Sequence, residues 1–236
     1  MIRFVEETGS TNADLAQALR SQTPPSEGEW LVAKRQTAGK GRQGREWFDG
    51  SGNFMGSCVV TLNAGDPLPA SLSFVAAMAV YDAAAQVLPD ADTLRLKWPN
   101  DAVLDGGKLS GILLELVGDS IVAGIGVNLA KAPDLPDRKT SALCVLAGPI
   151  ELTAFAQNLA ASFAHWLSEW REHGLAPLLS DFLERSVHAS GSSVTVHDTD
   201  GTYISGTFAG LEESDGALRL RLADGSERVI RAGDIA

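Results

Sequence analysis

The periodicity of this sequence changes abruptly at Ser186–Val187. Before that point, 151–173 and 175–186 read as two helices separated by Gly174. Leu152, Phe155, Leu159, Phe163, Trp166, Leu167 and Trp170 mark one apolar face of the first, a stripe that belongs to a core. After it, the pairs Asp200-Gly201, Asp215-Gly216 and Asp224-Gly225 separate short alternating runs at 193–196, 202–208, 218–222 and 227–230. Asp-Gly between alternating runs is a hairpin signal. The sequence therefore predicts a larger unit over 1–186 and a small, barrel-like β unit over 187–236, within a chain of 236 residues.

The larger unit alternates strand and helix patterns. Strands are predicted at 2–6, 30–36, 53–62, 93–97, 102–104, 108–117 and 121–129. Thr11-x-x-Asp14 is close to a capping box and opens a short helix over 13–20. The longest apolar stretch, 70–88, carries Ser71, Ser73, Tyr81, Asp82 and Gln86, so it reads as a core helix and not a membrane span. No basic segment followed by an apolar one opens the chain, which predicts no signal peptide and a cytoplasmic location. Cys58 and Cys144 are the only cysteines, so no disulfide framework is indicated, and the four histidines show no zinc spacing.

One stretch runs against the overall charge of −11. Lys34, Arg35, Lys40, Arg42 and Arg45 fall within 34–45 with no acidic residue among them. Gly39, Gly41 and Gly44 punctuate it and permit an anion-holding backbone turn. Arg42 and Arg45 add forked donors suited to phosphate or carboxylate, and Trp47 adds a flat face. The spacing Gly39-x-Gly41-x-x-Gly44 satisfies the dinucleotide-binding pattern, but the turn-rich segment behind it is no helix. Gly39-Lys40-Gly41 also lacks the Ser or Thr of a Walker A loop.

Other polar groups are predicted at strand ends: Ser10-Thr11-Asn12 at a helix start, Lys97 to Asp101 where Pro99 ends a strand, Lys108 after a glycine turn, and the run 124–128. Helix capping alone suffices to explain Ser10 and Thr11, and a helix N-terminus also suits a polar or anionic ligand. Together the inventory fits nucleotide activation of a carboxylate. Cations would hold phosphates and offset charge developing at the α-phosphate, and Asn100 or Asp101 could meet Mg²⁺.

The segments Gly39-Lys40-Gly41-Arg42-x-Gly44-Arg45-x-Trp47, Lys97-Trp98-Pro99-Asn100-Asp101, Lys108-Leu109-x-Gly111-Ile112-Leu113 and Gly124-Ile125-Gly126-Val127-Asn128, in this order, resemble the biotin–protein ligases. Ser10-Thr11-Asn12 and Gln36 match as well. The resemblance implies an α+β fold, a mixed sheet backed by helices as in class II aminoacyl-tRNA synthetases, with an SH3-like C-terminal β-barrel. It implies that MgATP and biotin give biotinyl-5′-AMP, and that a lysine of a biotin carboxyl carrier domain then takes the biotin. Ser10, Thr11, Asn12, Gln36, Gly39, Lys40, Gly41, Lys108 and Gly111 would line the biotin site. Arg42, Arg45, Trp47, Asn100, Asp101, Lys108 and Asn128 would serve the nucleotide, with Asp101 toward the metal. Arg42 and Lys108 would be catalytic. Lys40 departs from the Arg or His frequent at its position in relatives.

The chain lacks the DNA-binding segment that precedes this unit in some relatives, which predicts a monofunctional ligase with no DNA or membrane partner; a homodimer follows by analogy. Glycines and like charges predict no unique conformation for the empty basic loop. Two rival readings are lipoate–protein ligase or octanoyltransferase, which share the fold, and a non-catalytic biotin or nucleotide sensor.

Overall fold

A computed structural model describes residues 1–198 and 201–235. The elements run β1 (Ile2–Val5), α1 (Thr11–Ala18), β2 (Trp30–Ala33), β3 (Phe54–Thr61), α2 (Leu72–Ala85), β4 (Leu94–Lys97), β5 (Asp101–Leu104), β6 (Gly107–Lys108), β7 (Ser110–Val117) and β8 (Ser120–Val127). Then follow α3 (Cys144–Ala147), α4 (Leu152–His173), α5 (Leu175–Glu184), β9 (Ser193–Asp198), β10 (Tyr203–Leu211), β11 (Leu218–Arg221), β12 (Glu227–Ile230) and β13 (Gly233–Ile235). Among the described residues no helix is long and apolar enough to cross a membrane.

The main sheet has the order β1-β2-β3-β8-β7. It is mixed: β1 and β2 are parallel, and the other pairs are antiparallel. Its two faces do different work, because directly paired residues of an antiparallel ladder point to the same side. Phe54, Cys58, Val60, Ile121, Ala123 and Ile125 point into the large core shared with α2 and α4. The aromatic stripe of α4 lies in that core, where Trp170 Nε1 donates to Ser71 Oγ at 2.8 Å and Trp166 Nε1 to Asp82 Oδ2 at 2.7 Å. On the opposite face, Leu15 and Ala16 of α1 pack on Leu31, Val59 and Val122. That face also carries Ser57, Gly111, Gly124 and Gly126, and it is there that the site forms.

Helix α1 begins earlier than the sequence predicts. Ser10, not Thr11, is the N-cap, and its Oγ accepts from Ala13 N at 3.4 Å. Asp14 does not complete a capping box; it accepts from Thr8 Oγ1 at 2.5 Å. Thr11 is thereby free to turn inward, where it is buried.

The predicted strand 108–117 is broken at Leu109. Lys108 pairs with Val103 of β5 in a separate sheet, β4-β5-β6, and Leu109 N donates to Ala102 O at 2.8 Å. Leu109 is fully buried, so the chain crosses between sheets through the core. This crossing lifts Lys108 off the main sheet and brings it beside Asp101. The glycine turn that precedes it uses positive φ at Asp105 and Gly106.

The C-terminal strands are all antiparallel, in the order β12-β11-β10-β9-β13. The predicted barrel is corrected here: β12 pairs with β11 and β13 with β9, and among the described residues nothing joins the two edges, so this SH3-like sheet is open. The turn signals at Asp215-Gly216 and Asp224-Gly225 fall between strands; Asp200 lies outside the described residues. Strand β13, which no sequence signal marks, proves important. The sheet docks on the larger unit through Gly216, whose carbonyl accepts from Trp98 Nε1 at 3.0 Å. Gly216 has φ +72, and a Cβ there would lie 2.3 Å from Phe74 Cε2, so conformation and space both require glycine.

Candidate active site

Two connected spaces open on the α1 face of the main sheet. The inner one is lined by Ser10, Thr11, Asn12, Ser57, Gly124 and their neighbours. The outer one, a cleft of about 960 Å³, reaches Arg42, Arg45, Asn100, Asp101, Lys108, Asn128 and Asp234. Gln36, Lys40, Gly41, Trp47, Gly111 and Ile112 line both spaces.

The floor between them is made of glycine. Gly111 pairs with Gly126 across the β7–β8 ladder, and the Trp47 indole lies flat on both. A Cβ at Gly126 would sit 2.2 Å from Trp47 Cε2, and one at Gly111 2.5 Å from Cζ3. The sequence places Trp47 with the nucleotide; the structure puts it at the junction, covering the inner floor. Its Nε1–H is buried without a hydrogen-bond partner among the described residues, an arrangement that costs free energy.

The inner walls form a chain of hydrogen bonds. Gln36 Oε1 accepts from Thr11 N at 2.7 Å and lies 3.1 Å from Thr11 Oγ1. Thr11 Oγ1 lies 2.6 Å from Ser57 Oγ, which donates to Asn12 Oδ1 at 2.6 Å. Ser57 is absent from the sequence reading. Its only signal is a polar residue within an otherwise apolar strand, FMGSCVVT.

In the outer cleft, the basic loop turns through Arg42–Gly44 with positive φ at Gln43 and Gly44. Gly41 N donates to Arg45 O at 2.7 Å and Trp47 N to Gly39 O at 3.0 Å, which ties the turn shut. Arg42 Nη1 donates to Asn100 Oδ1 at 2.9 Å. Its Nη2 donates to Gly233 O at 3.1 Å and to Asp234 Oδ1 at 3.3 Å. Arg45 Nη1 reaches the other oxygen of Asp234 at 3.2 Å. Burial alone would raise the Asp234 carboxyl, but Arg42 and Arg45 beside it hold it below the usual aspartate range. Asp234 comes from β13, far along the chain, and was missed for that reason.

Lys108 Nζ donates to both Asp101 oxygens at 2.6 Å. Asn128 is buried and holds the surrounding backbone: its Nδ2 donates to Ser141 O at 3.1 Å and to Lys108 O at 3.4 Å. Lys97 pairs in register with Asp101. Burial pushes its ammonium below the usual lysine range, opposed by Asp101 and Asp234. The remaining two cations of the basic run, Lys34 and Arg35, are not brought to the cleft. They form exposed ion pairs with Glu6, and with Glu7 and Asp49.

The donor set for a metal is small. Among the described residues no group of three His, Cys, Asp or Glu side chains could hold one. Asp101 with the Asn100 amide suits Mg²⁺ that arrives on a nucleotide, since that ion keeps waters and phosphate oxygens as most of its ligands.

A small pocket walled by hydrogen-bonding side chains, opening onto a cleft where Arg42, Arg45 and Lys108 converge, defines a protein that activates a carboxylic acid with a nucleotide. The chain belongs to the biotin/lipoate A/B protein ligase family, whose model matches residues 4–131. The model for the biotin protein ligase C-terminal domain matches 189–236. The chain is 37% identical to a biotin–[acetyl-CoA-carboxylase] ligase of Paracoccus denitrificans, over 98% of each chain. It is 35% identical to the Mycobacterium tuberculosis ligase of the same name, over 98% of this chain and 86% of that one. Among solved structures, the biotin protein ligase of Aquifex aeolicus in complex with biotin and ATP superposes with a TM-score of 0.84 at 24% identity, over 100% of this chain and 97% of that one. The Leishmania major ligase in complex with biotinyl-5-AMP gives 0.69 at 25% identity, with 98% of each covered.

Proposed function

We propose that this protein is a biotin–protein ligase that forms biotinyl-5′-AMP from biotin and ATP and passes the biotin to a lysine of a biotin carboxyl carrier domain. The match of its last strands to the biotin-ligase C-terminal domain favours biotin over lipoate. The observation that carries the reading is the convergence of Lys108, Arg42 and Arg45 at the mouth of the Thr11–Gln36–Ser57 pocket.

In this reading residues 1–186 form the catalytic unit and 187–236 the accessory one. Thr11, Asn12, Gln36 and Ser57 build the biotin head site, with Ser10, Gly39, Lys40, Gly41 and Gly111 around it. The rings take the glycine floor, so the Trp47 indole must leave Gly111 and Gly126 to admit them. The carboxylate then points out toward Lys108. Arg42 and Arg45 exchange Asp234 for phosphate, and Lys108 exchanges Asp101 for the reacting carboxylate and α-phosphate. Its ammonium stabilises the charge that grows there as the carboxylate oxygen attacks phosphorus and pyrophosphate leaves. Asn100 and the released Asp101 would hold Mg²⁺, which neutralises phosphate charge. In the second step the acceptor amine attacks the biotinyl carbonyl and AMP departs with its pair of electrons. Asn128 keeps the Lys108 backbone in place.

The acidic surface of the chain supports a protein acceptor and not DNA, and we place the enzyme in the cytoplasm. A homodimer is the assembly to test by sedimentation. The reaction itself is tested by exchange of labelled pyrophosphate into ATP. Exchange that requires biotin and ignores lipoate is the expected result; exchange with lipoate alone would move the chain to the lipoate branch.

A further inference from the structure

The polar chain that lines the head pocket continues outward to an acid at the protein surface. Asn12 Nδ2 donates to Glu115 Oε2 at 2.6 Å and to Leu113 O at 3.4 Å. Glu115 lies on β7, is exposed, and is outside the pocket lining.

Two acceptors on one side of the Asn12 amide fix its orientation, because the opposite flip would set oxygen against a carboxylate and a carbonyl. Asn12 rests directly on Gly124, where a Cβ would lie 2.2 Å from Oδ1. The direction of each further bond then follows. Asn12 Oδ1 only accepts, so Ser57 spends its one proton there at 2.6 Å. Ser57 Oγ must accept in turn, so Thr11 Oγ1 gives its one proton across their 2.6 Å contact, and its longer 3.1 Å approach to Gln36 Oε1 carries no proton. Thr11 N holds Gln36 Oε1 at 2.7 Å, which leaves Gln36 presenting Nε2 as a donor. The Thr11 and Ser57 oxygens therefore have lone pairs and no proton to offer the pocket.

We propose that Glu115 is a positioning residue for biotin recognition: through Asn12 it sets the hydrogen-bond direction that makes Thr11 and Ser57 acceptors for ligand N–H groups. This rests on the biotin reading above. A cyclic urea has two N–H donors and one carbonyl, so a pocket with two oxygen acceptors and the Gln36 amide donor is its complement. With the anchor removed, Asn12 can flip and Ser57 can turn its proton inward, against the ligand N–H.

Glu115→Gln keeps an acceptor oxygen for Asn12 and Glu115→Leu does not. Steady-state adenylation is measured for the full-length protein and both variants, with biotin and with biotin methylated on a ureido nitrogen. Glu115→Leu is expected to raise the biotin KM about tenfold, with kcat and the ATP KM within twofold of the parent. Its preference for biotin over the methylated compound should shrink, and Glu115→Gln should restore both. An unchanged biotin KM in Glu115→Leu overturns the proposal. So does a Glu115→Gln variant as impaired as Glu115→Leu, or an equal rise in the ATP KM, since those mark general loosening. A parent protein that turns over biotin while Glu115→Leu is unaffected sinks only this inference; a parent that neither binds nor uses biotin sinks the functional reading and this inference together.

Discussion

In the inner pocket the polar side chains satisfy one another: Thr11, Asn12, Gln36 and Ser57 close a chain of bonds that a ligand extends without breaking. In the outer cleft Arg42, Arg45 and Lys108 are each held by a carboxylate from elsewhere, Asp234 or Asp101. The hydrogen bonds of the first region are in place before the substrate arrives, and there only the Trp47 indole must move. The second stores its cations on internal anions, and phosphate must displace them. Recognition and chemistry are thus separable, and substitutions in the two regions should fail differently.

The largest effect belongs to the cleft. Lys108→Ala removes the donor at the reacting bond and should lower the adenylation kcat by about 10²–10³, the usual cost of one such donor. Biotin affinity, measured by calorimetry, should change far less. A loss confined to biotin binding would erase the distinction between the regions.

The floor comes next. Gly126→Ala sets a methyl group 2.2 Å from the Trp47 ring atom Cε2. The same methyl group stands where the biotin rings would lie, and a clash of about 1–3 kcal/mol with them corresponds to roughly a fivefold to 150-fold rise in the biotin KM. Tryptophan emission should shift toward the red as the indole leaves its seat, with kcat at saturating biotin retained. Unshifted emission would mean that Trp47 does not rest on this floor.

Asp234→Asn sharpens the cleft side. It should speed tryptic cleavage after Arg42 and Arg45 a few-fold in the absence of ligand, and biotin with ATP should still protect both sites. Because the folded Asp234 carboxyl titrates below its unfolded value, its stabilising contribution is complete above the unfolded value and is lost as pH falls through the folded one. The melting temperatures of parent and variant should therefore differ at neutral pH and converge below the usual aspartate range. A gap that widens on acidification would refute this pairing.

The smallest effect is expected at Arg35→Ala. Arg35 belongs to the same basic run but pairs with Glu7 and Asp49 on the surface, where ion pairs contribute little. Activity should stay within twofold.

How much of this was legible in the sequence follows from distance along the chain. The helices at 152–173 and 175–184 and the basic turn announce themselves through local period or glycine spacing. Those signals marked Arg42 and Lys108, the family resemblance added Gln36, and all three line the outer cleft. The break at Leu109 was hidden because Leu109 is apolar like the strand that follows it; only the second sheet reveals that Lys108 has left the first. Ser57, Glu115 and Asp234 escaped because each acts on residues in other elements: Glu115 meets Asn12 across |i−j| = 103, and Asp234 meets Arg42 across 192. No local pattern encodes such pairs. The open C-terminal sheet was misread for a similar reason, since Asp-Gly turns count hairpins and do not say whether the edges meet.

The most direct test incubates the purified protein with ATP, Mg²⁺, biotin and a biotin carboxyl carrier domain, and follows pyrophosphate together with the acceptor mass. The account predicts biotin-dependent pyrophosphate release and a single biotin adduct on the acceptor lysine. Biotin bound tightly with no pyrophosphate released would contradict it, and would leave the cleft cations as a sensor's contacts and not a ligase's catalysts.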